Sequence, residues 1–483
     1  MSNVNSMMVR PAALAGSFYA ADPVVLMADI DSYLRDALSS NAAVTSKRPK
    51  ILVIPHAGYI YSGSVAAKAY ARLVNQINTI SRVVLLSPAH REYFNGIALP
   101  DCLAFSTPLG TMAVDQLGVA VLEDLSDVHR NALAHEHEHA LEVHLPFLQR
   151  VFKDLPPTRQ PSIVPLIVGN ISALVVSQVI ERLWGNEQTL IIISTDLSHF
   201  HSYAQAMAID SETCQKVLHC QTDISPEQAC GANPLNAALH QALLRELQIE
   251  QLAYCNSGDT GGNSFQGRER VVGYASFAMH EDTNKALQTA QNGLLDVDQG
   301  NQLLALAKAS LHLATGAPEL ALPVQEEDWL KSHRATFVTL SKEGRLRGCI
   351  GSLLARRSLG EDVFANTQAA ALSDPRFTPV TADEAMTLDI EISVLSEPVP
   401  LSFANQAHAL WQLQPLHDGV IFTCEEFGRQ YHSTFLPMVW QQFADPIQFM
   451  GQLKLKAGLS ANYWSDSVKI YTYHVQAFGQ PHA

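Results

Sequence analysis

The feature that most constrains the fold is an alternation of short apolar runs with longer stretches of helical pattern between residues 50 and 278. The runs are rich in β-branched side chains, which is typical of strands buried on both faces of a parallel sheet. They are ILVIP (51–55), RVVLLSP (82–88), IVPLIV (163–168), LIIIS (190–194) and VVGYASFA (271–278). Helix-length stretches at 64–77, 140–152, 173–184 and 234–247 separate them. The alternation predicts a layered α/β domain.

A second domain is expected after a polar, Gln- and Asn-rich stretch at 280–302, which has the composition of an interdomain linker. The chain has 483 residues, enough for two or three domains. Beyond the stretch come an Ala- and Leu-rich helical pattern at 303–315 and strand-like runs at 335–340, 346–351, 388–395 and 419–424. We therefore predict an α/β domain over residues 1–285 and a smaller α+β domain over residues 295–483.

Charge and hydropathy exclude two classes of partner. The formal net charge is −15, and no extended cluster of Lys and Arg occurs, so we expect no binding to nucleic acid or to anionic membranes. The apolar runs are far shorter than the roughly 20 residues that span a bilayer, and the first residues do not resemble a signal peptide. The seven cysteines are scattered without a CxxC pair, as in reduced proteins. We expect a cytoplasmic protein.

Three histidines come directly after predicted strands of the first domain. His56 follows the run at 51–54, His90 follows the run at 82–86, and His199 follows the run at 190–193. Because ligand sites of open α/β sheets form beyond the carboxyl ends of the strands, these side chains could converge. Converging imidazoles indicate a transition metal such as iron, copper, nickel or zinc.

A third ligand is expected from the turn-rich segment YCNSGDTGG (254–262). Asp259 is the hard donor in this segment and Cys255 is the soft one. Two histidines with Asp259 would form the two-His, one-carboxylate arrangement of non-haem Fe(II) enzymes. Asp259 as the third ligand therefore favours Fe(II), with Cys255 as the alternative ligand and copper or zinc as alternative metals.

The run HEHEHALEVH (135–144) contains an HExxH spacing that starts at His135. It precedes the helical pattern, so we do not predict a zinc-protease site. Glu138 and Glu142 are four residues apart and would share one face of a helix, where they could orient a ligand histidine or a substrate. An ordinary acidic first helical turn is the alternative. We include Glu142 among the catalytic candidates.

Taken in order, the motifs of the first domain resemble the Memo family. They are RPAALAGSFY (10–19), PHAGYIYSG (55–63), SPAH (87–90), FSTPLG (105–110), EHALEVHLPFL (138–148), STDLSH (194–199), CGANP (230–234), NSGD (256–259) and VVGY (271–274). The resemblance implies the fold of class III extradiol ring-cleaving dioxygenases, with a metal site in the corresponding cleft. It implies metal ligands at His56 and His90 and places the family's strand-end histidine on His199. Animal members have a cysteine as third ligand, where this chain has Asp259 or Thr260.

The motifs of the second domain resemble the AMMECR family. They are FVTL (337–340), LRGCIGSL (346–353), AAALSDPRFTPV (369–380), ISVLS (392–396), HDGVI (417–421), FLPMVW (435–440) and KLKAGL (454–459). The two resemblances together imply a fusion of components A and B of the AmmeMemoRadiSam system. Because the chain contains no CxxxCxxC motif, the radical S-adenosylmethionine protein of that system would be a separate partner.

Within LRGCIG, Cys349 is a candidate nucleophile, and Arg347 could bind a carboxylate or a phosphate. A structural or partner-docking role for this motif is the alternative.

Two classes of function remain open from the sequence. One is a metal-dependent redox or ring-opening enzyme in which His199 is the general acid or base. The other is a non-catalytic scaffold that binds a metal or a peptide and docks a partner through its second domain. A small molecule and a peptide are both possible substrates.

Overall fold

The computed structural model describes residues 9–39, 48–260, 268–281, 294–321, 327–352, 355–426 and 428–479. The chain divides into two compact units, Met1–Ala286 and Leu287–Ala483.

The first unit is built from strands and helices that alternate along most of its length. Its strands are β1 (Val9–Arg10), β2 (Pro49–Ile54), β3 (Arg82–Pro88), β4 (Ile97–Leu99), β5 (Ala104–Thr107), β6 (Gly110–Ala113), β7 (Val128–Arg130), β8 (Ser162–Val168), β9 (Thr189–Ser194), β10 (His199–His201), β11 (Gln248–Asn256) and β12 (Val271–His280). Its helices are α1 (Pro23–Ser39), α2 (Tyr59–Tyr70), α3 (Gln116–Ala120), α4 (Ala132–Glu136), α5 (His139–Glu142), α6 (Leu145–Val151), α7 (Ala173–Arg182), α8 (Tyr203–Leu218), α9 (Ala232–Leu244) and α10 (Ser257–Thr260), with 3₁₀ turns at Ala71–Gln76 and Pro157–Arg159.

The central sheet of the first unit has the strand order β10-β12-β2-β9-β3-β8-β4-β7, and β11 pairs with β12. Strands β2, β9, β3 and β8 run parallel, and all residues of β2, β3 and β9 are buried. Such complete burial is what a parallel sheet requires when both of its faces are covered. The sequence predicts these strands and the α/β class correctly.

The strand order places the carboxyl ends of β2, β9 and β3 side by side. Ile54 pairs with Ser194 at the end of β2 and β9, and Leu86 pairs with Ile193 near the end of β3. The segments that follow these three strands therefore begin at one edge of the sheet.

The predicted helix at 140–152 is in fact two helices, α5 and α6, and this is a correction to the sequence analysis. Pro146 is the second residue of α6. Its ring nitrogen carries no hydrogen, so it cannot donate to the carbonyl of Glu142, and the chain starts a new helix there.

The second unit contains two four-stranded antiparallel sheets, with the strand orders β14-β13-β15-β20 and β16-β19-β17-β18. The strands are β13 (Thr336–Lys342), β14 (Arg345–Gly351), β15 (Asp389–Leu395), β16 (Val399–Pro400), β17 (Gly419–Glu426), β18 (Arg429–Phe435), β19 (Lys469–Tyr473) and β20 (Val475–Gly479). The helices are α11 (Val297–Thr315), α12 (Asp328–Lys331), α13 (Leu359–Leu372), α14 (Ala382–Ala385), α15 (Gln406–Gln412) and α16 (Pro446–Lys456), with a 3₁₀ turn at Pro437–Gln441. The predicted α+β class is correct.

The predicted linker at 280–302 is wrong over its last residues, because α11 begins at Val297. Asp296 and Gln299 form a capping box at its start. Gly300 looks like a loop residue in the sequence, but a Cβ there would lie 2.1 Å from the Phe478 ring, so the glycine allows close packing inside the helix. Residues 282–293 of the predicted linker lie outside the described residues.

In the part of the chain that the structure describes, no helix has the length and hydropathy needed to cross a membrane.

Candidate metal centre

The imidazole groups of His56, His90 and His139 lie together at the edge of the sheet where β2 and β3 end. Their ligand atoms all lie within 4.8 Å of one another, and no other group of three or more His, Cys, Asp or Glu among the described residues does so. The ring centroids are 5.1 Å apart for His56 and His90, 5.3 Å for His56 and His139, and 4.5 Å for His90 and His139. His56 and His90 follow the ends of β2 and β3, and His139 is the first residue of α5.

A hydrogen-bond chain fixes the tautomer of His56. The hydroxyl of Ser194 has one proton, and it donates this proton to the carbonyl of Ala140 at 2.7 Å, since a carbonyl can only accept. Nδ1 of His56 lies 2.7 Å from the same hydroxyl oxygen. This nitrogen must therefore be the donor and carry the hydrogen, which leaves Nε2 with its lone pair free.

The same hydroxyl oxygen also orients a second buried histidine. Nε2 of His144 lies 2.8 Å from Ser194 Oγ, and Nδ1 of His144 lies 2.8 Å from the hydroxyl of Tyr70. Because the Ser194 proton is already donated, His144 must donate through Nε2 and accept from Tyr70 through Nδ1. The relay Tyr70–His144–Ser194–His56 is thus fully satisfied and points Nε2 of His56 at the cluster.

Glu138 fixes the tautomer of His90, as Ser194 fixes that of His56. Its carboxylate accepts a hydrogen bond from the backbone N–H of His90 at 2.7 Å and from Nδ1 of the same residue at 3.0 Å. Nδ1 of His139 lies 3.1 Å from the same carboxylate. An acidic partner at Nδ1 favours the tautomer in which Nε2 is free, the arrangement found around metal-binding histidines.

The local electrostatics favour a neutral imidazole at His56 and an ionised carboxylate at Glu138. Burial, followed by the proximity of His90 and His139, holds the pKa of His56 well below its ordinary value. Burial alone would raise the pKa of Glu138, but contacts with His139 and His90 outweigh it and hold that pKa well below its ordinary value. The pair therefore presents the protonation states that metal binding requires.

The donor set fits a transition metal. Two nitrogens that bind one ion at about 2.1 Å are at most about 4.2 Å apart, and the three ligand atoms here already lie within 4.8 Å of one another before any ion draws them together. Three imidazoles suit zinc, copper, iron or nickel. The side chain of His56 is 1% exposed, that of His139 15% and that of His90 26%, so the centre is open to solvent on the His90 side.

The third ligand expected from the sequence lies outside this cluster. The carboxylate of Asp259 accepts hydrogen bonds from the Tyr203 hydroxyl at 2.7 Å and from the backbone N–H of Asn256 at 3.0 Å. Cys255 lies on β11, and burial, with the nearby Asp259 charge, raises the pKa of its thiol to about 12. Coordination by Asp259 stays a prediction, and His139 is the third imidazole that the structure adds.

His199 lies on β10, at the edge of the same sheet. Its Nδ1 is 2.8 Å from the carbonyl of Leu197, which can only accept, so Nδ1 carries the hydrogen and Nε2 is free to take a proton. The residue before β10, Ser198, is held by Asp210, whose carboxylate accepts from the Ser198 N–H at 3.0 Å and from the Tyr254 hydroxyl at 2.9 Å.

Glu142, a predicted catalytic residue, holds the N-terminal segment in place. It is completely buried, forms an ion pair with Arg10, and accepts hydrogen bonds from the backbone N–H groups of Ala13 at 2.9 Å and Leu14 at 2.8 Å. The hydroxyl of Tyr19 donates to it as well. Both carboxylate oxygens are therefore occupied by the motif RPAALAGSFY.

The sequence analysis missed His139 as a member of the cluster. The HExxH spacing drew attention to it, but the required single helix is absent because α4 ends at Glu136 and α5 begins at His139. The useful signal was Glu138, a carboxylate directly before a histidine, for which an orienting role was one of the two alternatives left open by the sequence.

The candidates in the second unit are engaged in contacts within that unit. Arg347 forms a two-point contact with Glu384, at 3.2 and 3.0 Å, so its bidentate partner is a carboxylate of the same chain. The thiol of Cys349 accepts from the Thr339 hydroxyl at 3.4 Å, and its backbone N–H donates to Asp374 at 2.9 Å. Catalysis by Cys349 stays a prediction.

Comparison with known proteins identifies both parts of the chain. Residues 10–278 match the family model described as Memo-like protein, and residues 304–478 match the model AMMECR1. Relatives named MEMO1 family protein include those of Sulfolobus acidocaldarius (31% identical over 291 residues), Methanosarcina mazei (32% over 289) and Aquifex aeolicus (31% over 280), and each alignment covers 56% of this chain and 98% of the relative. Among solved structures, the uncharacterised protein PH0010 from Pyrococcus horikoshii is 27% identical, with 39% of this chain and 95% of that chain covered and a TM-score of 0.34.

Proposed function

Since the chain belongs to the Memo-like protein family and brings three imidazole groups together, we propose that its first domain binds one transition metal ion through His56, His90 and His139. The observation that carries the proposal is the mutual approach of three imidazoles, two of which, His56 and His90, are hydrogen-bonded at Nδ1 to Ser194 and Glu138, so that Nε2 keeps its lone pair. A chance surface group of histidines would have no reason to hold a buried serine and a buried glutamate at the opposite nitrogens.

We further propose that the bound ion is Fe(II) and that the centre supports redox or oxygenase chemistry. Three protein ligands leave positions open on the ion, where it would act as a Lewis acid and redox centre. The protein's own contribution is to hold the ligands through Glu138 and Ser194 and to offer Nε2 of His199 as a proton acceptor. Asp259 would be a further ligand if it turned towards the cluster.

The metal proposal is tested by anaerobic reconstitution with Fe(II), followed by metal analysis of the desalted protein. We expect about one ion per chain, and loss of that ion in His56→Ala, His90→Ala and His139→Ala. His137→Ala is the matched control, because His137 belongs to the same HEHEH run and its side chain is 72% exposed. Unchanged stoichiometry in a variant that lacks all three cluster histidines would overturn the proposal.

The same measurement assigns the remaining candidate ligands. If the Asp259→Ala variant retains iron, this carboxylate is not a ligand. If iron is lost in Cys255→Ala but not in Asp259→Ala, the third ligand is the thiol of Cys255. Each result is compared with the His139→Ala variant prepared in parallel.

Binding of nitric oxide distinguishes a catalytic metal centre, which has open coordination positions, from a non-catalytic scaffold in which the ion has none. We expect a new visible absorption band when nitric oxide is added to the Fe(II)-loaded protein, because open positions remain on the ion. No band at full iron occupancy would favour the non-catalytic scaffold. His199→Ala should keep both iron and the band, since we propose it as a proton-transfer residue and not as a ligand.

We also propose that the chain works in the cytoplasm with a separate radical S-adenosylmethionine protein. All seven cysteines are free thiols, which suits a reducing compartment. The presence of Memo-like and AMMECR1 domains in one chain supports the proposal that this radical protein is its partner. Sedimentation of this chain mixed with the purified radical protein from the same genome tests it, and separate migration at all concentrations would count against it.

A further inference from the structure

Two exposed arginines, Arg268 and Arg270, lie beside the segment that carries His199. We propose that they bind an oxyanion, a carboxylate or a phosphate, of a small molecule whose reacting part meets the metal centre. The statement that this molecule is the substrate rests on the proposed function. Anion binding by the two arginines can be measured on the metal-free protein.

Aromatic rings of that segment hold both guanidinium groups in place. The guanidinium carbon of Arg270 lies 4.9 Å from the centre of the Phe200 ring, and that of Arg268 lies 4.9 Å from the centre of the Tyr203 ring. Two residues of extended chain span at most about 7 Å, so the backbones of the two arginines are close together. Both cationic groups therefore lie in one area next to His199.

Stacking leaves the hydrogen-bond donors of the arginines free for a ligand. A guanidinium group that packs on a ring uses its flat face, whereas its N–H groups point outwards in the plane of the group. Among the described residues, neither Arg268 nor Arg270 forms an ion pair. The chain has 47 acidic and 32 basic residues, so carboxylate partners are plentiful and two neighbouring unpaired arginines are unexpected.

The acidic groups of this area leave the charge of the arginines in place. Asp259 accepts from the Tyr203 hydroxyl at 2.7 Å through Oδ1 and from the Asn256 N–H at 3.0 Å through Oδ2, so both of its oxygens have donors. Glu269 lies between the arginines in the chain, is exposed, and pairs with neither of them in the part of the chain that the structure describes.

His199 and Asp196 connect the arginines to the metal centre. The centres of the His199 and Phe200 rings are 5.6 Å apart. The carboxylate of Asp196 lies 3.9 Å from Nε2 of His56. Burial raises the pKa of Asp196, whereas the backbone N–H of His56 and the nearby His199 lower it, so this carboxylate lies close to both histidines. A molecule bound by the arginines is therefore on the His199 side of the centre.

The backbone of Phe200 is strained, and burial does not compensate for the strain. Its φ angle is 62°, in the left-handed region that bulky side chains rarely adopt, and its side chain is 61% exposed. The ring contacts His199 and the guanidinium group of Arg270. Because such strain is found mostly at functional sites, we assign Phe200 the role of positioning Arg270.

A metal ion at the histidine cluster would favour an anion on this side as well. A divalent cation attracts a carboxylate or a phosphate, and it would act together with the two guanidinium groups. The formal net charge of the chain is −15, so an anion approaches the protein only where positive charge is concentrated.

Protection of arginines from phenylglyoxal tests the site on the metal-free, full-length chain, with mass spectrometry giving the rate of modification at each arginine. Acetate and methylphosphonate are the two oxyanion probes, and acetamide is the neutral molecule with the shape of acetate. We expect at least one of the anions to slow modification of Arg268 and Arg270 by about threefold or more at saturation, and acetamide to have no effect. Arg35 is the internal control, because it is exposed and forms no ion pair among the described residues.

Stronger protection by methylphosphonate would assign the oxyanion as a phosphate, and stronger protection by acetate would assign it as a carboxylate. Equal protection of Arg35 would show that the anions act by general ionic screening and would overturn the proposal. No protection of Arg268 and Arg270 by either anion would overturn it too.

Variants of Phe200 separate the positioning role from a contribution to folding. Phe200→Gly removes the ring but adopts a φ of 62° without strain, so its stability to urea should stay close to that of the parent. Protection of Arg270 should nevertheless fall to the level of Arg35, whereas Phe200→Tyr, which keeps a ring, should retain it. Phe200→Leu gives the same comparison if the glycine variant does not fold. Full protection of Arg270 in a folded variant without the ring would contradict the positioning role.

Iron analysis of the same preparations keeps the two proposals distinguishable. Iron uptake without protection of the arginines would leave the metal centre in place and reject the oxyanion site. Protection without iron uptake would support the oxyanion site, reject the metal centre and remove the assignment of the anion to its substrate.

Discussion

At the scale of single residues, the chemistry of the centre depends on which nitrogen of each histidine carries the hydrogen. Ser194 determines this for His56, because its one proton is donated to the Ala140 carbonyl and its oxygen can only accept from the ring. A serine without a carbonyl partner could donate to the imidazole instead and would leave the opposite tautomer.

Ser194→Ala should weaken metal binding by about 10- to 100-fold, since the ring of His56 loses the partner that fixes its orientation. Competition between the protein and a chromophoric chelator measures this affinity. Ser276→Ala is the matched control, because Ser276 is also buried and donates to a carbonyl, that of Val65 at 3.0 Å. An equal loss in both variants would mean that Ser194 acts through general stability alone.

Because His135 is buried, we expect the free energy of unfolding to depend on pH. Burial lowers its pKa from about 6.5 to about 4 and outweighs the carbonyl of Ala98, which lies 3.1 Å from Nε2 and raises the pKa. Between these two values the unfolded chain binds more protons than the folded chain, so the free energy of unfolding falls as the pH is lowered from about 6.5 to about 4. The contribution of this one group is up to about 3 kcal/mol.

Urea denaturation of the metal-free protein at a series of pH values checks this prediction. His135→Gln should show a shallower loss of stability on acidification than the parent, whereas His137→Gln, at an exposed position of the same run, should not. Burial also lowers the pKa of His144, to about 3, so His144 likewise reduces stability on acidification. Part of the pH dependence should therefore remain in His135→Gln. An identical slope in His135→Gln would contradict the assignment.

At the scale of elements, the site depends on contacts between segments that are far apart in the sequence. Arg10 and Leu14 of the segment at 10–19 bind the carboxylate of Glu142 in α5, the helix that also carries His139. These contacts therefore help to fix the helix that supplies one of the three imidazoles.

Glu142→Ala should destabilise the first unit by about 3–5 kcal/mol, because it leaves Arg10 buried without its partner. Glu136→Ala should have little effect, since Glu136 lies in the neighbouring helix with a side chain that is 59% exposed. The unfolding transition of the first unit, followed by circular dichroism, measures both. A stable, folded Glu142→Ala protein that binds metal but has no turnover would instead support the catalytic role predicted from the sequence.

At the scale of the whole molecule, the chain is two units, each with its own core. The second unit buries Leu303, Leu306, Val338 and Ile392 in one hydrophobic cluster. The first unit buries three of its parallel strands, β2, β3 and β9, completely.

Limited proteolysis should therefore cut between residues 281 and 296 and leave two folded fragments of about 280 and about 180 residues. Mass spectrometry identifies the fragments, and circular dichroism of each purified fragment shows whether it unfolds cooperatively. Fragments that lose structure as soon as they are separated would show that neither unit folds alone.

The sequence by itself determined the local structure. Apolar runs with β-branched residues specify strands wherever they are buried on both faces, and the alternation with helical patterns specifies the α/β class, so β2, β3, β8, β9 and β12 were predictable. His56 and His90 could be predicted as neighbours because each follows such a strand. The motifs were also sufficient to indicate both families.

The tertiary structure decided what depends on strand order and on side-chain direction. Only the order β2-β9-β3 brings the ends of these strands together, and hydrogen bonding between strands far apart in the chain leaves no local sequence signal. The helix break before His139 and the turn of Asp259 towards Tyr203 likewise depend on packing. The ligand set of a metal centre is a matter of distances in space, and the sequence fixes those distances only through the complete fold.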